Sequence, residues 1–234
     1  MKEAIKILAV IPARGGSKRL PRKNVLELSG KPLLSWTIDA AKQSKYIDKI
    51  IVSSDDDEVL DIAIKSDVDA LQRPDALATD FSTTFDVVEH VIQQVSEPYD
   101  YIVLLQPTSP LRCASHIDEA IEKLIDNQVD AVISVCEMEH SPLWSNTLPE
   151  GGSMEHFLPK EIHNKRSQDL STYYRLNGAI YICKTDRLLN EKTFYIQSKV
   201  NAYVMDSFLS IDIDTSIDFQ LARCILESKQ REIN

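Results

Sequence analysis

Short runs of consecutive apolar residues alternate along this chain with stretches whose apolar positions recur every three or four residues. The runs predict strands over Ile5–Ile11, Lys49–Ser53, Tyr101–Gln106, Ala131–Cys136, Gly178–Cys183 and Ala202–Met205. Helical segments are expected between them. In PLLSWTIDAAKQ the stripe is Leu34, Ile38 and Ala41; in TTFDVVEHVIQQV it is Val88, Val91, Ile92 and Val95. HIDEAIEKLI repeats the pattern with Ile117, Ile121, Leu124 and Ile125. Buried strands alternating with amphipathic helices are the signature of an α/β fold with a mainly parallel sheet. The stripes are read as core, with no functional role.

The rhythm fails between about Met138 and Arg175, a stretch rich in proline and glycine with no sustained period. So long an irregular segment in a compact domain belongs to a functional loop or an inserted subdomain. We read residues 1–234 as one domain that leaves its sheet at about 138 and returns by Asn177.

Composition narrows the classes of function. The chain has 234 residues, 43% hydrophobic and 26% charged, and a net charge of −10. An acidic chain lacks the basic surface on which nucleic-acid affinity rests, so no nucleic-acid partner is expected. No apolar run approaches the roughly 18 residues needed to cross a bilayer, and the amino terminus lacks a signal peptide's long apolar stretch. Cys113, Cys136, Cys183 and Cys224 form no C-x-x-C pair, which fits reduced thiols in the cytoplasm.

Against this acidic background, IPARGGSKRLPRKN gathers Arg14, Lys18, Arg19, Arg22 and Lys23 directly after the first strand. A glycine-containing loop at that place can turn backbone N–H groups toward phosphate oxygens. Gly15 and Gly16 permit positive φ and close approach, and Ser17 adds a hydroxyl. The spacing is neither G-x-x-x-x-G-K-[ST] nor G-x-G-x-x-G. A diphosphate or triphosphate is the natural ligand for so many donors. A second stretch, LLQPTSPLR, sets Gln106, Thr108, Ser109 and Arg112 just past a buried strand, where open α/β sheets bind ligands. A third, SIDIDT, places Asp212 and Asp214 two residues apart, on one face if extended. Two carboxylates beside nucleotide phosphates suit Mg²⁺, with Mn²⁺ as the alternative ion. A plainer role is also open to Asp214, as cap of a helix starting near Ser216.

Together these motifs make the sequence resemble the acylneuraminate cytidylyltransferases. IPARGGSKRLPRKN, RPDALATD, LLQPTSPLR, MEHSP, RSQDL, NGAIYI and SIDIDT occur in family order over nearly the whole chain. Related enzymes that activate 3-deoxy-manno-octulosonate open differently, so GGSKRLPRKN points to the nine-carbon branch. The resemblance implies a three-layer, Rossmann-like nucleotide-diphospho-sugar transferase fold. It also implies transfer of CMP from CTP to a nine-carbon 2-keto-3-deoxy sugar acid, with Mg²⁺ and release of pyrophosphate. Arg14, Gly15, Gly16, Ser17, Lys23, Asn24, Arg73 and Thr84 would hold the nucleotide. Gln106, Arg166, Tyr181, Phe194 and Tyr195 would line the sugar site, and Asp212 and Asp214 would bind the metal. Arg14, Lys23 and the two aspartates would carry catalysis, while the 138–175 excursion would form a homodimer. Trp144 and Ser167 stand where some bacterial sialic acid enzymes have basic residues, which keeps legionaminic and pseudaminic acids open as substrates. No general base stands out, with His140 the one histidine considered. Two further alternatives are a sugar 1-phosphate nucleotidyltransferase and a catalytically silent CTP-binding regulator.

Overall fold

The computed structural model describes residues 5–233, with side-chain detail as far as residue 229. Strand β1 (Ile7–Pro12) is followed by a small hairpin of β2 (Glu27–Leu28) and β3 (Lys31–Pro32) that leads into α1 (Leu33–Lys42). Next come β4 (Lys49–Ser54), α2 (Asp57–Lys65), β5 (Asp69–Gln72), α3 (Thr84–Gln94) and β6 (Tyr101–Leu104). After α4 (Ala114–Asp126) and β7 (Ala131–Glu137) the chain wanders, then re-enters the sheet as β8 (Tyr174–Lys184). It ends through α5 (Thr185–Glu191), β9 (Val200–Met205) and α6 (Ser216–Ile233). None of the described helices is long and apolar enough to cross a membrane.

Seven strands form one sheet in the order β5-β4-β1-β6-β8-β7-β9. Only β8 runs against its neighbours; the other pairings are parallel. Both faces are covered, and the pleat shows it. In β1, Ile7, Ala9 and Ile11 pack under α1, α2 and α4, whereas Leu8 and Val10 pack under α3 and α5. The expected three-layer α/β architecture is what this alternation produces. At ten residues, α1 is shorter than the roughly 12–15 at which isolated helices become even marginal. Tertiary burial of Leu33, Leu34 and Ile38, about 1.5–3 kcal/mol each, therefore holds it.

The three periodic helices lie where their stripes place them. The pattern did not single out α2, α5, β5 or the β2–β3 hairpin. The excursion between β7 and β8 holds only three single 3₁₀ turns, at Pro142–Trp144, Lys160–Ile162 and Ser167–Asp169. Its return is earlier than expected, since β8 starts at Tyr174 rather than near Asn177.

Pairing of β7 with β8 shifts register between Ile133 and Val135. Residues Asn177–Ile180 bulge there, and the Ser134 hydroxyl fills the gap, 2.6 Å from Asn177 Oδ1 and accepting from Ile180 N at 2.8 Å. Bulges of this kind twist a strand and re-aim its side chains next to functional sites.

Candidate active site

The carboxyl ends of β1 and β6 open onto a cleft of about 540 Å³. The loop after β1 forms one wall. Asn24, buried at 6% exposure, donates from Nδ2 to Arg14 O at 2.9 Å and ties the loop's end to its start. Four of its five cations, Arg14, Lys18, Arg19 and Lys23, face the cleft. Acids of the opposite walls meet them. Asp80 pairs with Arg14 at 2.9 Å and with Lys18. Asp214 pairs with Arg19 at 2.7 Å and with Lys23 at 3.2 Å. Lys18 first, then Arg14, hold the Asp80 carboxyl below its ordinary range.

Arg22 departs from this set. It pairs with Asp56 at 2.8 Å and with Glu58, bracing the loop against the start of α2. Partial burial works against the charge of Asp56, but Arg22 and the N–H groups of Val59 and Glu58 outweigh it and lower its pKa. The glycines also behave differently from expectation. Neither Gly15 nor Gly16 has positive φ; the left-handed residue of the loop is Arg22, at φ 55°. Gly15 is required by close approach alone, since a Cβ there would lie 2.6 Å from Asp56 Oδ2. Its N–H donates to Asp55 at 3.1 Å, so neither glycine lines the cleft.

The other two motifs meet directly. Ile213 N donates to Thr108 O at 2.8 Å, joining the QPTSPLR loop to the aspartate segment. Lys23 Nζ donates to Ile213 O at 2.5 Å and fixes the same segment from the other side. Asp212 and Asp214 both face the cleft. Desolvation, then the neighbouring charge of Asp214, pushes the Asp212 carboxyl up, while Thr108 and Lys23 partly offset this. Asp214 does not cap α6: Thr215 Oγ1 accepts from Asp218 N at 3.4 Å, and the Asp218 carboxylate reaches back to the N–H groups of Asp214 and Thr215. Of the QPTSPLR side chains, Gln106 and Thr108 face the cleft, but Ser109 and Arg112 are buried. Arg112 reaches the carbonyls of Ala179 (2.9 Å) and Gln106 (3.2 Å), and burial lowers its pKa to about 9. It is a clamp between β6 and β8.

Arg73 lies in the cleft wall at 4% exposure, donating to Ser53 O at 2.7 Å. Ser17 and Thr84 line the same space. Beside it a second pocket of about 300 Å³ shares Thr83, Thr84 and Gln106 with the cleft. Tyr181, Phe194 and Tyr195 form its aromatic wall, with Tyr181 edge-on to both neighbours at centroid distances of 6.0 Å. Tyr181, at 7% exposure, is both core and pocket lining. Arg166 joins neither cavity; it lies exposed in the excursion, where its backbone N–H bonds Asp169. Trp144, Ser167 and His140 line neither cavity as well.

Several residues here carried no role in the sequence reading. Asp80 lay inside RPDALATD, and an acid facing a basic loop was a signal available but unused. Asp56 sits in an acidic run before a helix, a recognisable cap pattern. Asn177 and Gly178, which pack behind Ser210 and Asp212, gave no such sign.

Comparison with known proteins agrees with this geometry. A family described as cytidylyltransferase matches residues 8–230. An N-acylneuraminate cytidylyltransferase of Streptococcus agalactiae is 39% identical over 217 residues, 92% of this chain and 52% of that protein. The chain thus spans about half that relative's length. A CMP-N,N'-diacetyllegionaminic acid synthase of Legionella pneumophila is 37% identical, covering 98% of this chain and 100% of that protein. A solved CMP:2-keto-3-deoxy-manno-octonic acid synthetase complexed with CTP superposes with TM-score 0.73 over 96% of this chain and 99% of that one. At 18% identity this last likeness speaks for the fold alone. The matched span contains the cation-bearing loop, the QPTSPLR turn and both cleft aspartates, and by that match this chain belongs to the cytidylyltransferase family.

Proposed function

We propose that this protein transfers CMP from CTP to a nine-carbon 2-keto-3-deoxy sugar acid, an N-acylneuraminate or a close analogue, and releases pyrophosphate. The observation that carries the reading is the junction of two unlike cavities, a cation-lined cleft and an aromatic pocket that meet at Thr83, Thr84 and Gln106. The first suits a triphosphate and the second a hydroxyl-rich sugar. The sugar's C2 hydroxyl attacks the α-phosphorus in line, loses its proton, and the bond to the β-phosphate oxygen breaks. Arg14, Lys18, Arg19 and Lys23 exchange their carboxylate partners for phosphate oxygens and stabilise the departing pyrophosphate. Holding both reactants at the junction supplies the remaining advantage through orientation.

The donor set fits Mg²⁺. Asp212 and Asp214 offer two hard oxygen ligands, and among the described residues no cluster of three or more His, Cys, Asp or Glu is placed to cage a metal. An ion sharing its coordination between one or two carboxylates, phosphate oxygens and water is the usual arrangement for Mg²⁺. Bound there, it would neutralise charge on the triphosphate. The exposure of both Tyr173 and Tyr174 (36% and 51%) at the base of the excursion supports a homodimer through that region. Four free cysteines and CTP as substrate support a cytoplasmic setting.

A legionaminic acid is the second reading, kept open by the 37% identity to the legionaminate synthase and by Trp144 and Ser167. The test is pyrophosphate release from CTP and Mg²⁺ with N-acetylneuraminic, legionaminic and pseudaminic acids in parallel. One acid is expected to be strongly preferred, with Asp212→Ala losing most of that rate. Release with none of them, alongside measurable CTP binding, would favour a silent CTP-binding protein.

A further inference from the structure

Ten residues line the sugar-side pocket, and all but one are neutral at physiological pH. The exception is Lys192. It follows α5 directly, with its N–H bonded to Leu188 O at 2.9 Å and its backbone left-handed, at φ 55° and ψ 31°. Glycine or asparagine fits that position most easily, so its occupation by lysine is not explained by helix termination. Nor is its ammonium group spent on a neighbour. Among the described residues it forms no salt bridge, and the two nearby acids are committed elsewhere. The Asp86 carboxylate accepts from Thr83 N at 2.8 Å, and Glu191 accepts from Arg187 Nε at 2.9 Å. Lys192 acts on Asp86 only as its weakest influence, after the Thr83 bonds. The first turn of α3, which carries partial positive charge, faces the same pocket through Thr83, Thr84 and Phe85.

We propose that Lys192 is the specificity residue that binds the carboxylate of the sugar acid. This rests on the cytidylyl-transfer reading above and sharpens it. A 2-keto sugar acid is ionised at neutral pH through its carboxyl group, while its hydroxyls and any amides are neutral. Aromatic faces and the Gln106 amide can recognise the neutral parts; Lys192 alone among the lining residues matches the charge. A charge-assisted hydrogen bond is roughly twice as strong as a neutral one, so this contact would separate the acid from uncharged sugars.

The experiment compares wild type, Lys192→Asn and Lys192→Arg for the turned-over acid and for its C1 carboxamide. Asparagine suits the left-handed position, so Lys192→Asn removes charge without backbone strain. The expected result is a KM for the acid raised about tenfold or more in Lys192→Asn, the scale of one hydrogen bond to a charged group. KM for CTP should stay unchanged, preference for acid over carboxamide should collapse, and Lys192→Arg should restore most of it. An unchanged acid KM and preference would overturn the assignment while leaving cytidylyl transfer intact. An equal rise in KM for CTP would overturn it too, by placing Lys192 on the nucleotide. Absence of turnover by the wild type with every acid removes both claims together.

Discussion

Gly178 holds φ at 74° between Gln106 and Asp212, where an added Cβ would lie 3.1 Å from Gln106 Oε1 and 3.6 Å from Asp212 Oδ2. A left-handed alanine costs about 1–2 kcal/mol, and its methyl would press the side chain that joins the two cavities. We expect Gly178→Ala to lower kcat/KM about 10–100-fold even well below its melting temperature, because misplacement near the chemistry is expensive. A variant that is merely less stable, with wild-type kinetics at low temperature, would contradict this. That Lys23, Arg14 and the two aspartates would share one cleft was legible from their charge and spacing. Of the two reasons for Gly15, positive φ fails and close approach holds, but the approach is to Asp56, a residue 41 positions away. Arg112 looked like a ligand group, but its side chain turns inward to Ala179 O; no local signal separates a buried arginine from a cleft one.

At the scale of elements, the segment that carries Asp212 is anchored by a buried relay from the sheet. Ser134 on β7 meets Asn177 on β8, and Asn177 Nδ2 donates to Ser210 Oγ at 2.9 Å, two residues before Asp212. Asn177 is 1% exposed and Ser134 and Ser210 no more than that, so removing one member strands buried polar groups. Asn177→Ala should therefore cost about 1–3 kcal/mol of stability, or roughly 2–4 °C of melting temperature per kcal/mol for a chain of this size. Turnover should fall more than CTP affinity, since the relay holds the aspartate side of the cleft. Thermal melting and steady-state kinetics check both halves. Elements with a long amphipathic stripe, α1, α3 and α4, were readable from spacing. Short α2 and α5, and the four-residue edge strand β5, offer too few periods for the pattern to speak. The antiparallel sense of β8 could not be read at all, because strand direction depends on the route taken by the irregular chain before it.

Over the whole molecule, the net charge of −10 and the cation-lined cleft are two sides of one arrangement. Acids from the loop before α3 and from the segment before α6 hold the basic side chains in place at the cleft. Fold class and the cation-lined cleft were visible early because three motifs converge at the carboxyl edge of the sheet. The neighbouring pocket was only partly visible. Tyr181, Phe194 and Tyr195 were anticipated, whereas Lys192 emerged only when α5 was placed against α3. The central claim is that the α-phosphorus of CTP moves to the sugar while the β- and γ-phosphates leave together. It is tested most directly by parallel reactions of α-labelled and γ-labelled CTP with the preferred acid. The account predicts α-label in the CMP-sugar and γ-label in pyrophosphate. Label in free CMP without sugar product, or γ-label on the sugar, would contradict it.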